Sequence, residues 1–268
     1  MRLFDSHCHL DDPCYDPDRE TVLTRARTAG VAALMVVGID LPRSRRAVTL
    51  AGAHRGIFAA VGVHPHDARQ CSEAVLAELQ QLAAHPQVKA WGETGLDFNR
   101  MYSPQDLQEK WFQRQIEIAL ERRLPLILHE RDSGGRFLAI LRSFGRQRLQ
   151  GVVHCFSGSP DELEAYLQLG FYIGITGIVT MKVRGTELRA MINTIPEDRL
   201  LVETDAPYLA PSPERNRHRR NEPAFVRTTL LKVAEVRGRD PEKLATAVWT
   251  NTCNLYGIDA AEMETTAA

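Results

Sequence analysis

Two histidines one residue apart, His7 and His9 in FDSHCHLD, interrupt an otherwise apolar run near the start of the chain. Side chains two residues apart on an extended strand point the same way, so both imidazoles can reach one ion. A single histidine in such a run, like His154 in GVVHCFSG, is more readily read as a hydrogen-bonded core residue. The pair is not, because a dry strand face gains nothing from two polar rings. Glu93 in WGETGLD and Asp205 in VETDAP raise the same problem, since a carboxylate among apolar neighbours is costly without a cation or donor nearby. Imidazoles and carboxylates together are the usual ligands of divalent ions. Metal binding is the chemistry that these residue types point to.

Such residues must be brought together by elements that end at one level. Short apolar runs recur at 3–10, 32–38, 57–65, 88–97, 124–130, 150–158, 171–177 and 199–207. Stretches with helical spacing of apolar residues lie between them, at 18–29, 41–54, 72–84, 132–145, 160–169, 184–194 and 223–237. In the helix of PQDLQEKWFQRQIEIALERR, Ser103 is the expected N-cap, with Pro104 in the first turn. An additional helix follows at DPEKLATAVWTNTCNLYG, with Asp240 as its expected cap. Strands alternating with helices imply parallel pairing, because a parallel crossover needs the helix. The expected fold is therefore α/β, a (β/α)8 TIM barrel with an extra C-terminal helix. A doubly wound open sheet is the alternative. No segment reads as a linker, so residues 1–268 are taken as one domain, with EMETTAA as a fraying tail.

In such a barrel chemistry gathers at the C-terminal strand ends. Strand ends are roughly one-eighth of the chain, so chance would place about one of the nine histidines there. Six fall there instead: His7 and His9 on the first strand, His64 and His66 on the third, His129 on the fifth and His154 on the sixth. Glu93 and Asp97 on the fourth strand, and Glu203 and Asp205 on the eighth, join them. By alternation Cys8 and Cys155 face the helix layer and are read as small buried apolar residues.

The 268 residues are 44% hydrophobic and 25% charged, with no apolar run long enough for a membrane span. An odd set of five cysteines without a CxxC pair, and no export signal, favour reduced thiols and a cytoplasmic location. A formal net charge of −1 excludes coating nucleic acid by bulk charge. Any polyanion contact must be local. The arginine-rich run PERNRHRRNEP, just after the last strand, is the place for it; its bland reading is a solvated loop.

The motifs DSHCHLD, GVHPHD, GETGLDFNR, HERD, HCFSG, YIGITG, VETDAPYLAP and RNEP resemble, in order and spacing, those of the TatD family of metal-dependent hydrolases within the amidohydrolase-like barrels. The resemblance runs nearly end to end. It implies that His7, His9 and Asp205 bind one divalent ion, that Glu93 bridges to a second, and that His129 and His154 hold the second. Thr94 and Glu130 depart from the usual family residues, and alternation points both away from the metals. The family implies Mg2+ for nuclease activity, while four imidazoles favour Zn2+ or another transition ion, with Mn2+ as a further alternative.

In the expected mechanism Glu93 holds the ions together and Asp205 takes the proton from the attacking water. His64 contacts the phosphate or protonates the leaving group. Glu203 orients a ligand, and with His66, Arg131, Arg217, Arg219 and Arg220 borders the substrate. The implied reaction is 3′ to 5′ exonuclease action on single-stranded DNA or frayed 3′ ends, by a monomer with no membrane partner. A two-metal amide or ester hydrolase, including one that deacylates a nucleic-acid carrier, is the first rival, since fold does not determine substrate. A binding protein with a purely structural metal is the second, although a structural zinc needs only four ligands.

Overall fold

The computed structural model describes residues 1–145 and 149–259; the EMETTAA tail lies outside them. Eight strands are formed: β1 Leu3–Cys8, β2 Val31–Val37, β3 Ile57–Val61, β4 Val88–Asp97, β5 Leu126–Arg131, β6 Gly151–Val153, β7 Tyr172–Ile175 and β8 Leu200–Val202. The helices are α1 Arg19–Thr28, α2 Leu41–Ala53, α3 Glu73–Leu82, α4 Gln105–Arg122, α5 Arg136–Ser143, α6 Pro160–Gln168, α7 Thr186–Met191, α8 Val226–Arg237 and α9 Pro241–Tyr256. Sequential neighbours pair in parallel in the order β1 to β8. The ring closes where the Asp205 amide donates to the His7 carbonyl (2.9 Å) and the His9 amide to the Ala206 carbonyl (2.7 Å). The result is a (β/α)8 TIM barrel.

Strand alternation sorts the apolar residues into two clusters. Leu34 and Val36 of β2 face out and join the layer between barrel and helices. Ala33, Met35 and Val37 belong instead to the inner set, with Phe4, Phe58, Ile127 and Leu201. Helix α9 supplies Trp249, Cys253 and Tyr256 to that inner set, and the Phe4 ring lies 5.7 Å from Trp249 and 6.3 Å from Tyr256. The extra helix thus plugs the N-terminal end of the barrel, leaving the opposite end as the mouth. It begins at Asp240, whose carboxylate accepts from the Lys243 amide at 3.0 Å, a cap contributing about 1 kcal/mol.

Three local expectations are corrected. Ser103 does not cap α4; Pro104 holds the cap position without a side-chain bond. The buried Ser103 hydroxyl instead donates to the His66 carbonyl (2.8 Å) and accepts from the Arg69 amide (2.9 Å), tying the loops after β3 and β4 together. Several strands stop earlier than their apolar runs, β6 at Val153 and β8 at Val202, because the chain leaves the ladder to aim side chains into the mouth. Cys155, left-handed at φ 49°, is not wholly enclosed in the helix layer: it packs against that outer cluster but is only half-buried and also lines the mouth. Cys8, by contrast, is fully buried in the outer layer.

Candidate metal centre

β1 and β4 both change register before their functional residues. The shift between Asp5 and Cys8 lets Phe4 and His7 share the interior although they are an odd number of residues apart. In β4 the shift falls between Trp91 and Thr94 and turns Glu93 inward. Two glycines permit it. Gly92 and Gly95 have φ of 150° and 152°, and a Cβ at Gly95 would lie 1.8 Å from the His129 carbonyl oxygen. Only glycine accepts both that backbone conformation and that approach. Thr94, between them, is fully buried, and Glu130 turns aside to accept from the Ser133 amide (3.0 Å) and hydroxyl (2.8 Å).

Glu93 is buried at the centre of the cluster and divides its two oxygens between two groups of ligands. Its Oε2 lies 3.4 Å from His7 Nε2 and 3.7 Å from His9 Nε2. Its Oε1 lies 2.9 Å from His129 Nδ1, 3.1 Å from His154 Nε2 and 3.4 Å from His64 Nε2. Asp205 Oδ1 completes the first group, 3.4 Å from His9 Nε2 and 3.8 Å from His7 Nε2. His154 faces both groups, since it also gathers with His7 and Asp205.

The donor set fits divalent ions. His7 Nε2 and His9 Nε2 face each other at 3.3 Å, close to the edge of a tetrahedron with bonds of about 2.1 Å. The His9 Nδ1–H donates to the Val37 carbonyl at 2.8 Å, so Nε2 is the nitrogen that can offer a lone pair to an ion once its proton is displaced. His7 Nδ1 has no hydrogen-bond partner among the described residues, so no contact opposes the tautomer in which Nε2 is the ligand atom.

The supporting carboxylates set the remaining rings. Asp97 Oδ2 lies 2.7 Å from His66 Nε2 and 3.4 Å from His129 Nε2, so His129 presents Nδ1 to Glu93. Glu203 lies 3.2 Å from His154 Nδ1 and accepts from the Cys155 amide at 2.6 Å. It has no exposed surface, which corrects the expectation that it borders the substrate: it orients His154. Asp5 was not singled out from the sequence. Its carboxyl accepts from the Thr204 amide (2.8 Å) and hydroxyl (2.6 Å) and pins the start of the Asp205 loop.

Burial opposes charge throughout, and the partners decide the outcome. Burial would raise Glu93, but His154, His64 and His129 hold it well below the usual carboxylate range. Burial likewise opposes protonation of His9, yet Asp205 lifts it to about 9. His64 differs: burial pushes it down to about 3. Its Nδ1 accepts from the His66 amide at 3.1 Å, so the neutral ring carries its proton on Nε2. His64 therefore presents an N–H to the cluster and is not equivalent to the lone-pair donors, although it stands near Glu93 and His129.

A metal-free His9 that holds a proton up to about 9 must lose it when an ion binds. Affinity should then rise with pH through the neutral range, by about tenfold per pH unit for each proton displaced. Calorimetric titration near pH 7 in buffers of different ionisation enthalpy is expected to show net proton release. Heats that do not depend on the buffer would contradict it.

The mouth is a cavity of about 640 Å³ that includes His9, Glu93, His129, His154 and Asp205 in its wall. Exposed Arg100, Arg131 and Arg184 stand in the same wall; of these only Arg131 was singled out from the sequence. The arginine run behaves less uniformly than expected. Arg217 and Arg219 are exposed outside the cavity wall. Arg220 turns away to bond Asp18 through two nitrogens, at 2.9 and 2.7 Å, and stacks over Tyr15. It is thereby removed as a substrate contact and serves as a loop anchor.

Comparison with known proteins places this geometry in context. Residues 4–257 match the family described as TatD related DNase. A protein of Rahnella sp. (strain Y9602) named 3′-5′ ssDNA/RNA exonuclease TatD is 44% identical, over 96% of this chain and 99% of its own. A Klebsiella pneumoniae protein of the same name is 42% identical, over 96% and 98%. Among solved structures, a TatD homolog from Escherichia coli k12 superposes with a TM-score of 0.87 at 31% identity, covering 96% of this chain and 99% of that one.

Proposed function

The chain belongs to the TatD-related DNase family, a family of metal-dependent hydrolases acting on ester bonds, and from that premise we propose that it removes nucleotides from the 3′ end of single-stranded DNA or RNA. The observation that carries this reading is the division of Glu93 between two ligand groups. His7, His9 and Asp205 would hold one divalent ion, His129 and His154 the other, with Glu93 shared. Divalent ions at this donor set supply polarisation of a phosphoryl oxygen and acidification of a bound water.

The chain's own groups do the rest. Asp205, whose side chain keeps 13% exposure at the floor of the mouth, accepts the proton of the attacking water. His64 donates its Nε2–H to a phosphoryl oxygen. Asp97, with His66 against it, and Glu203 fix the rings of His129 and His154. Arg131 and Arg184 pair with phosphates flanking the scissile one, and the more distant Arg217 and Arg219 add a salt-sensitive attraction. Residues 4–257, matched as one family unit, act as a single domain.

A rim of exposed arginines suits a polyanion better than a neutral amide, so the amide hydrolase gains nothing from the site. Among the described residues, no helix is long and apolar enough to cross a membrane. The test is digestion of end-labelled single-stranded DNA and RNA with added Mg2+, Mn2+ or Zn2+. A 5′-labelled strand is expected to give a shortening ladder, and a 3′-labelled strand to release labelled mononucleotide at once. Intact strands under every ion would overturn the reading.

A further inference from the structure

Among the described residues, the exposed large apolar side chains are Met101, Tyr102, Val183, Tyr208 and Leu231. Isolated exposed aromatics are ordinary on protein surfaces; what distinguishes two of these is their place. Tyr102 and Tyr208, 58% and 53% exposed, both stand in the wall of the mouth. Tyr102 follows β4 and Tyr208 follows β8. In an eight-stranded ring ordered β1 to β8, those two strands are diametrically opposed. The rings therefore rise on opposite rims, with the ligand cluster between them.

Each ring also packs on a histidine of the site, one a ligand and the other the partner of Asp97. Tyr208 packs edge-on against His9, 5.9 Å between centroids, and Tyr102 edge-on against His66 at 4.7 Å. Neither stands on a loose loop. The Tyr208 amide donates to the Asp205 carbonyl (2.8 Å) and its carbonyl accepts from Asn221 Nδ2 (2.5 Å). Ser103, next to Tyr102, is the buried residue that ties the β3 and β4 loops together.

We infer that Tyr102 and Tyr208 form a base clamp, stacking the nucleobases on either side of the scissile phosphate while exposed Arg100, Arg131 and Arg184 pair with the strand's phosphates. Aromatic faces interleaved with cations are the means by which proteins hold single strands without reading sequence, because every base offers a π-face. A paired base keeps its faces inside the duplex stack, so the clamp selects unpaired ends. This assignment rests on the nuclease reading of the same mouth and adds what that reading does not contain, the residues that hold the bases.

The test compares wild type with Tyr102→Ala, Tyr208→Ala and the two Phe replacements on a fluorescent single-stranded oligonucleotide. The matched control is the same oligonucleotide with abasic sugars at its last few 3′ positions. Affinity is read by anisotropy with calcium as the added ion, and KM by turnover in manganese. Each Ala variant is expected to weaken binding of the base-bearing strand and raise its KM by about tenfold or more. The Phe variants should restore both values, and on the abasic strand the Ala variants should match wild type.

Unchanged affinity in both Ala variants would overturn the clamp, as would an equal loss on the abasic strand, which would mark a merely structural role. Binding with the expected pattern but no turnover in wild type would instead overturn the nuclease reading and leave the clamp standing. Failure of wild type to bind the strand at all would overturn both.

Discussion

Glu93→Gln is expected to lower kcat/KM on a single-stranded oligonucleotide by at least about a thousandfold, or about 4 kcal/mol of transition-state stabilisation, while the barrel remains folded. The carboxylate faces two ligand groups at once, with Oε2 toward His7 and His9 and Oε1 toward His129, His154 and His64. An amide keeps the shape but offers one acceptor oxygen and no charge, so both groups lose their shared ligand. Folding survives because the inner apolar set, with Phe4, Ile127 and Leu201, and the α9 plug make no use of this side chain. The measurements are steady-state kinetics in saturating manganese and a thermal melt. Loss of the fold together with activity would favour a structural metal.

Asp205→Asn is expected to reduce turnover by about a hundred- to ten-thousandfold, the usual contribution of a general base. Burial disfavours the Asp205 carboxylate; in the metal-free protein His9 at 3.4 Å holds it below its ordinary range, and a bound divalent ion, which displaces the His9 proton, would favour the ionised form in its place. Asp205 is therefore ionised, and able to accept a proton, at every pH at which the enzyme works. Lacking that acceptor, the variant must use solvent hydroxide. Its rate should climb by about tenfold per pH unit where the metal-saturated wild type is flat. A variant with the wild-type pH profile and nearly wild-type turnover would remove Asp205 from the proton path.

The architecture was legible because a parallel barrel repeats one physical pattern: runs buried on both faces alternate with amphipathic helices. The cluster was legible for a related reason, since imidazoles and carboxylates gathered at strand ends are costly to bury unless they hold cations. His7, His9, Glu93, His129, His154 and Asp205 do converge within a few ångströms of one another in the described residues.

What eluded the sequence depends on tertiary detail. The role of Ser103 follows from a partner in another loop, and nothing in SPQD distinguishes it from a cap. The diversion of Arg220 to Asp18 depends on a helix some two hundred positions away in the chain. Cys155 reaches the mouth as well as the outer layer because a single left-handed residue interrupts the strand alternation. The tautomer of His64 is set by a backbone amide. The opposition of Tyr102 and Tyr208 exists only once the ring has closed.

If the Glu93-bridged cluster holds two ions and phosphodiester hydrolysis needs both, bound metal and activity must rise together. Stripping the protein with chelator and titrating manganese back, while following bound metal and release of nucleotide from a single-stranded oligonucleotide, measures the two at once. The stripped protein is expected to show no turnover, and turnover should reach its plateau only as the second equivalent per chain binds. Full activity with one ion bound, or activity that survives chelation, would contradict the two-ion centre.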